Sequence, residues 1–456
     1  MTAVADAGAS LGVSGEGAGA TTVDVVIVGA GPAGIAAAVR AAESRRRVVV
    51  LDEAPNVGGQ IWRHRSRDTL GAEARLWIDR LSRTNAEVRR GVAVVDVVVG
   101  GDDAPIVVVA ERHRGGAEVI RASALVIATG ARERFVPFPG WTLPGVMGIG
   151  GAQALLKQGA TFRGKRVVIA GTGPLILPVA ASLTDAGARV LLVAEQAPFQ
   201  AVRDFAISLL TQPDTLLQAA LYRLAFLRTP YAMGTWVTSA SGTDRLAAVT
   251  VANARSTWSL PCDVLCTGYG LVPNIEMPRF LGCATADGAA VVDERQATTV
   301  PHVFAAGEVT GVGGVTLAIV EGEIAGAAAA GVARVDPSLV RRRHALRAVA
   351  RRMDRTFAVR PEIRSLARGD TIICRCEDVR CAAIASLSGS RQAKLYTRAG
   401  MGACQGRVCG PALELLFGWQ SGTVRSPLEP ARLSTLSTAA LAGAAPSTDT
   451  LHSSGS

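Results

Sequence analysis

Aromatic side chains are scarce in this chain: Phe, Trp and Tyr together make up 4% of its 456 residues. With no aromatics interleaved among the basic residues and no recognition motif, the net charge of +10 does not read as a nucleic-acid surface. Eleven arginines lie between Arg334 and Arg368, and this stretch is expected to be a solvated helical linker. Uninterrupted apolar runs are also missing. The longest, Val315 to Val335, is mostly Ala and Gly and carries Glu321 and Glu323, so no transmembrane helix is expected, and membrane contact would go through a partner. The first twenty residues contain neither a basic residue nor an apolar stretch, so no secretory signal is read and a cytoplasmic location is expected. Cysteine is sparse as well. Eight in so long a chain point to free thiols or metal ligands rather than a disulfide framework.

Apolar residues account for 49% of the composition and glycine for 50 positions, which suits an α/β protein with many tight strand-to-helix turns. Residues 1–21 and 432–456 are Ala/Gly/Ser/Thr/Pro-rich and are expected to be disordered tails. Between them lies a near-repeat, "VVIVGAGPAGIAAAV" from Val25 and "VVIAGTGPLILPVAA" from Val167. Each copy is an apolar strand, a glycine turn and a helix start, which predicts two nucleotide-binding units.

In the first unit, Gly29, Gly31 and Gly34 form G-x-G-x-x-G, with Pro32 and Ala33 opening the helix. The glycines permit the turn, the approach of backbone to a pyrophosphate, and close helix packing, and the helix N-terminus supplies N–H donors. A second strand, "VVVLD", ends at Asp52, whose carboxylate is placed to accept from the adenosine ribose; Glu53 is the alternative acid. Gly59 and Gln60, in "GGQ", bring bare backbone toward the flavin end of a dinucleotide. Thr129 and Gly130 close the strand "LVIATG", and Gly307 and Glu308 open the turn before a long small-residue helix. An acid at Glu308 suits acceptance from a ribityl chain. These four pieces in this order point to FAD.

The second unit is degenerate. Gly171 and Gly173 are present, but Ile176 replaces the third glycine, and Ala194 falls where Asp52 stood, with Glu195 one step on. Two readings stay open: a site for NAD(P), or a domain that holds an adenine nucleotide structurally or nothing at all. No cysteine pair follows "GGQ", which argues against disulfide reductase chemistry. Cys262 and Cys266 are expected on one face of a strand as buried thiols.

The last cysteines are grouped. Cys374 and Cys376 form C-x-C, and Cys404 and Cys409 form C-x4-C, on two loops able to converge on one site. Arg375, Lys394, Arg398 and Arg407 are expected to offset thiolate charge. The C-x-C spacing favours a [2Fe–2S] cluster, with zinc and a metal-free thiol cluster as alternatives. Cys381, inside a helical pattern, is expected to fill core.

Taken together, "VVIVGAGPAGIAAA", "DEAPNVGGQIWR", "GYGLVPN", "AAGEVTGVGGVTLAIVEGEIAG" and "CRCEDV…TRAGMGACQGRVCG" resemble the FAD-containing A or α subunits of opine oxidases, hydrogen cyanide synthase and dye-linked (hydroxy)proline dehydrogenases. The C-terminal stretch resembles the bacterioferritin-associated-ferredoxin type of [2Fe–2S] domain. The resemblance implies two Rossmann-like dinucleotide-binding domains of the pyridine nucleotide-disulfide oxidoreductase type plus a small helical [2Fe–2S] module. The expected division is 22–144 for the first part of the FAD domain, 145–262 for an inserted second nucleotide domain, and 263–335 for the return to the FAD domain. Residues 336–370 are then the linker and 371–431 the cluster module. The resemblance also implies a heteromeric complex. A second FAD-containing, amino-acid-oxidase-like subunit would oxidise a C–N bond of an amino acid, imino acid or opine, a small ferredoxin-like subunit would join, and this chain would pass electrons to a quinone or another acceptor. The alternatives are a self-sufficient NAD(P)H-dependent flavin/iron–sulfur reductase, or a metal-binding interaction module without turnover. No general base is assigned.

Overall fold

The computed structural model describes residues 20–101, 104–211, 213–420, 422 and 424–441. The β-branched repeats form two open sheets. In the first, β1 (Thr21–Val28), β2 (Val48–Asp52), β3 (Glu87–Arg90), β4 (Val92–Val98), β5 (Ile106–Arg112) and β6 (Ala117–Ile127) lie in the order β3-β2-β1-β6-β5-β4, and Val303–Ala305 adds to β6. The strands β3, β2, β1 and β6 and the Val303–Ala305 strand are parallel, while β4, β5 and β6 form an antiparallel meander. Val25, Val26 and Ile27 are fully buried, as a parallel sheet covered on both faces requires.

Helix α1 (Pro32–Glu43) and the later helix Val315–Ala329 cover one face. They cross closely because the contact is made of Ala and Gly. A Cβ at Gly322 would lie 2.2 Å from the Ala33 carbonyl oxygen, a backbone atom that cannot step aside. The crossing sets the "GPAG" helix start beside the "AAGE" turn, nearly three hundred residues later in the chain.

The second sheet is parallel, in the order Tyr231–Met233, Arg189–Glu195, Arg166–Gly171, Val264–Gly268, Val146–Gly148. Val264–Gly268 pairs with Arg166–Gly171, so the return to the first unit comes after this strand and not at 263. Cys262 precedes the strand and packs on the opposite face of the sheet from Cys266; the two do not share a face as expected. Both are fully buried.

The arginine-rich stretch is a helix, Pro337–Thr356, whose N-cap Asp336 accepts from Ser338 N at 2.8 Å. It is not simply solvated. Arg343 is 4% exposed, and Arg347 donates to Glu321 at 2.7 Å and to Thr310 Oγ1 at 3.0 Å. Glu321, 1% exposed within the small apolar helix, also accepts from Gly307 N (3.0 Å) and Thr310 (2.8 Å). The charge that interrupts the apolar run is therefore a buried clamp on the "AAGE" turn.

Beyond it, the hairpin Ile372–Cys374/Val379–Arg380 and the helices Ser390–Thr397 and Cys409–Phe417 form a small module with its own core. The chain then returns to the first sheet, where Leu428 N donates to Val95 O at 2.8 Å and Ser426 Oγ to Asp96 at 2.8 Å. Two tail expectations need correction. Thr21 already belongs to β1, and Leu433–Leu441 is a helix, anchored by Arg432 N on Glu111 at 2.8 Å. The remaining tail positions, 1–19 and 442–456, lie outside the described residues. No helix among the described residues is long and apolar enough to cross a membrane.

Candidate functional site

The first glycine loop is closed on itself. A Cβ on Gly34 would stand 1.8 Å from the Gly29 carbonyl oxygen, so α1 can start at Pro32 only with glycine there. No side chain caps that start, which leaves its first-turn amides open to an anion. Gly58 N donates to Ala30 O at 2.7 Å and draws the "GGQ" loop in, so that Gly59 faces Gly31 across a cradle with bare backbone on both sides. The Gln60 side chain is directed outward, accepting from Arg63 at 2.8 Å.

Asp52 ends β2 beneath this loop. Its carboxylate accepts from Ala30 N and, at 2.7 Å, from Ala54 N. Burial pushes its pKa up while those two amides pull it down, and the net shift is upward. Each oxygen keeps a second lone pair, so Asp52 can both brace the loop and accept from a ribose hydroxyl. Glu53 is exposed.

Glu308 follows Gly307 at the start of the clamped turn. Burial alone raises its carboxyl above the usual range, and no hydrogen bond or ion pair to it is found among the described residues. A half-buried acid without a partner, next to Gly307 where it packs on Ala33 of α1, is what a polyol chain would satisfy. These residues fit FAD: open amides for the pyrophosphate, Asp52 for the adenosine end, and Glu308 for the ribityl hydroxyls.

Thr129 and Gly130 are held by Asn274, the last residue of the "GYGLVPN" stretch, to which the sequence assigned no role of its own. Its Nδ2 donates to Thr129 O at 2.7 Å, its N to Gly130 O at 2.9 Å, and Thr129 Oγ1 donates to Asn274 O at 3.0 Å. Arg132, two residues on, donates to Asn274 Oδ1 (2.7 Å), pairs with Glu276 (2.7 Å), and donates through Nε to the Arg407 carbonyl at 3.0 Å. That carbonyl belongs to the cysteine loop, so the turn that ends β6 beside the first glycine loop is tied directly to the C-terminal module.

The four expected ligand cysteines line one cavity of about 240 Å³, together with Phe135, Trp141 and Arg375. They group across the two loops. Cys376 and Cys404 have sulfurs 3.6 Å apart, and Cys374 pairs with Cys409. Two thiolates on one tetrahedral metal at ~2.3 Å each would stand about 3.7 Å apart, a separation close to that of this pair. The four sulfurs do not close on one point: among the described residues, no group of three or more His, Cys, Asp or Glu is set for a single ion. Burial pushes the Cys409 thiol up to about 12. Burial also raises Cys404, but amides of Val408, Gly406 and Arg407 with the Cys376 thiol outweigh it and bring Cys404 below the usual value. Such amide donors are what a metal-bound thiolate uses.

Of the four cations expected here, Arg375 lines the cavity and lies over Trp141, 5.4 Å from the ring centroid. Arg398 is paired with Glu377 and Arg407 with Glu429, so their charges are largely taken. Lys394 is exposed. Cys381 sits in the module core with Ile384, outside the cavity lining.

In the second unit, the helix starts later relative to its glycine turn. It begins five residues after Gly171, at Ile176, whereas α1 begins three residues after Gly29, at Pro32. The match of Ala194 with Asp52 is corrected by a register shift between Val190 and Leu192, which inserts one residue into Arg189–Glu195. Glu195 is thereby level with Gly171. Its carboxylate accepts from Gly173 N and Ala197 N, both at 2.8 Å, as Asp52 does from Ala30 and Ala54.

Comparison with known proteins agrees with this architecture. The pyridine nucleotide-disulphide oxidoreductase family matches residues 23–331. The chain is 34% identical over 426 residues to the HcnB component of hydrogen cyanide synthase from Pseudomonas aeruginosa, spanning 84% of this chain and 90% of that protein. It is 34% identical over 450 residues to one of the subunits of opine oxidase from Rhizobium meliloti strain 1021, spanning 90% and 97%. L-proline dehydrogenase from P. horikoshii has a similar fold, with a TM-score of 0.66 at 19% identity, over 91% of this chain and 79% of that one. With the glycine cradle, Asp52 and Glu308 in place, the chain belongs to the pyridine nucleotide-disulphide oxidoreductase family and is an FAD-dependent oxidoreductase of the group that contains these two subunits.

Proposed function

We propose that this chain is the FAD- and [2Fe–2S]-carrying subunit of a heteromeric dehydrogenase that oxidises a C–N bond of an amino acid, imino acid or opine. A second FAD-containing subunit holds the substrate, a small ferredoxin-like subunit completes the complex, and electrons leave to a quinone or another acceptor. Opine oxidase and hydrogen cyanide synthase, to which the relatives belong as subunits, support the heteromeric reading. One observation carries the relay: the four-cysteine cavity abuts Phe135 and Trp141, on the segment that begins at the flavin-side turn Thr129–Gly130.

When bound, FAD takes up electrons in pairs and a two-iron cluster passes them singly. The protein's own residues do the rest. Gly31 and Gly59 admit the dinucleotide, Glu308 orients its polyol, and Glu321 with Arg347 holds the turn that carries Glu308. Arg132 fixes the cysteine loop to the flavin side. The grouping of sulfurs as two pairs favours a two-iron cluster over a single zinc.

The test is to express the chain with its chromosomal neighbours, record the visible spectrum, and screen proline, hydroxyproline, glycine, sarcosine and opines with an artificial dye. Flavin and cluster absorbance together with dye reduction by the complex alone are expected. Turnover of one of these substrates by the isolated chain would sink the relay, and a complex without cluster absorbance would remove the iron–sulfur assignment.

A further inference from the structure

The second glycine loop carries a contact that the first lacks. The segment Phe357–Arg360, which leads from the arginine-rich helix to the cysteine module, lies across it. Phe357 covers Gly173, with ring atoms 3.7 to 4.0 Å from the point a Cβ there would occupy, and its other side meets Phe205 edge-on at 5.2 Å. Thr172 Oγ1 donates to Phe357 O at 3.2 Å. Gln196 binds the segment twice, donating from Nε2 to Ala358 O (2.9 Å) and accepting from Arg360 N (3.1 Å). Arg360 then stacks over Trp236, 4.5 Å from the ring centroid, and Val359 and Ile363 are buried with Val136 and Tyr269.

The loop's own donors are also committed. Thr172 N donates to Gly268 O at 2.7 Å, and Gly173 N to Glu195 at 2.8 Å. Glu195, the acid that would meet a ribose, is 0% exposed. A dinucleotide needs free amides for its phosphates and an accessible carboxylate for its ribose. Both loops bond their turn amides internally, but here the carboxylate is fully enclosed and Phe357 covers Gly173, whereas at the first loop Asp52 is half-buried and Gly31 meets, among the described residues, the backbone of Gly59.

We infer that the second nucleotide site of this chain is closed by its own Phe357–Arg360 segment, and that the loop serves as the seat holding the cysteine module in place rather than as a site for NAD(P) or an adenine nucleotide. A pyridine nucleotide can reach Gly171–Gly173 only by lifting the segment that carries the module, so nucleotide binding and module docking exclude each other. Reducing equivalents therefore do not enter the flavin from NAD(P)H through this domain. Neither the substrate nor the cluster enters this inference, and the bound flavin is only a reporter of access; the relay reading is judged separately, by substrate-driven dye reduction in the complex.

Two measurements test it on the full chain with FAD. In the first, NADH or NADPH is added anaerobically to the wild-type protein, and hydrogen exchange is followed with NAD, ATP or ADP present. The flavin is expected to stay oxidised, and residues 171–177 and 357–363 to exchange at unchanged rates. Saturable bleaching by either reduced nucleotide, or nucleotide-dependent protection of residues 171–177, overturns the inference. In the second, Phe357→Gly with Gln196→Ala is expected to raise exchange across residues 357–363 by about tenfold, with the flavin spectrum unchanged. Unchanged exchange in that variant means the loop is not the seat, and equally overturns it.

Discussion

Arg132 Nε donates to the main-chain carbonyl of Arg407 at 3.0 Å, so two like-charged residues of different modules are joined by one hydrogen bond. Their charges do not oppose each other, because Arg132 pairs with Glu276 and Arg407 with Glu429. The carbonyl lies in the Cys404–Cys409 loop, and Arg132 is held through Asn274 to the Thr129–Gly130 turn beside the first glycine loop.

Arg132→Met should keep both modules folded but loosen this joint, since a charge-assisted hydrogen bond contributes about 2 kcal/mol. Expected outcomes are unchanged flavin absorbance, faster hydrogen exchange at residues 404–409, and slower electron transfer from flavin to dye in the assembled complex. A variant with unaltered exchange at that loop would show that the bond does not position it.

Glu308→Ala removes the unpartnered acid from the flavin recess. FAD affinity should fall roughly tenfold, about 1.4 kcal/mol, as for one lost hydrogen bond to a charged group. Retention of FAD on dilution, read by the rise of free-flavin fluorescence, checks this. Because the half-buried carboxylate has no hydrogen-bond partner among the described residues, Glu308→Gln should raise the unfolding temperature of the FAD-free protein.

Gly322→Val places a branched side chain against the Ala33 carbonyl, where even a Cβ stands at 2.2 Å. The helices must separate, at about 1–3 kcal/mol or more, and Gly307 moves away from α1. Loss of FAD on gel filtration together with a lowered unfolding temperature is the expected result.

Cys376→Ser and Cys409→Ser each remove one member of a sulfur pair, and should abolish the visible and electron-resonance signals of a cluster while FAD stays bound. Cys381→Ser, in the module core, should leave the cluster and cost about 1 kcal/mol of stability. A cluster lost with Cys381 would mean that the ligand set is wrong.

Burial raises the Glu195 carboxyl from 4.5 to about 7, against the opposing pull of the Ala197 and Gly173 amides. The folded protein then holds a proton that the unfolded chain has released. This contribution to stability is present in full below the ordinary carboxyl value and is lost as pH rises through about 7. The swing is on the order of 3 kcal/mol. Unfolding temperatures of wild type and Glu195→Gln from pH 4 to pH 8 should diverge in slope, the variant being flatter.

The residues that were legible are those whose chemistry is local. Gly29, Gly31, Gly34 and Asp52 announce a loop because a turn, a close approach and a strand-end acid are each fixed within a short span. The cysteine spacing likewise marks a paired-thiol site. Register was harder: Ala194 matched Asp52 by counting, but an inserted residue in Arg189–Glu195 makes Glu195 the equivalent. Glu321 was legible only as an interruption, because its partners Thr310 and Arg347 come from other elements. Arg398 and Arg407 looked available to a cluster until their acids, Glu377 and Glu429, arrived from elsewhere in the chain.

By itself the sequence determined two dinucleotide folds, the FAD loop and the cysteine set, since these follow from backbone sterics and short spacings. Only the tertiary structure decided that the second loop is seated against Phe357–Arg360, that Arg132 ties the flavin turn to Arg407, and that the cysteines pair across loops. Each of those contacts joins residues far apart in the chain, and no local pattern encodes which distant surface a folded segment will meet.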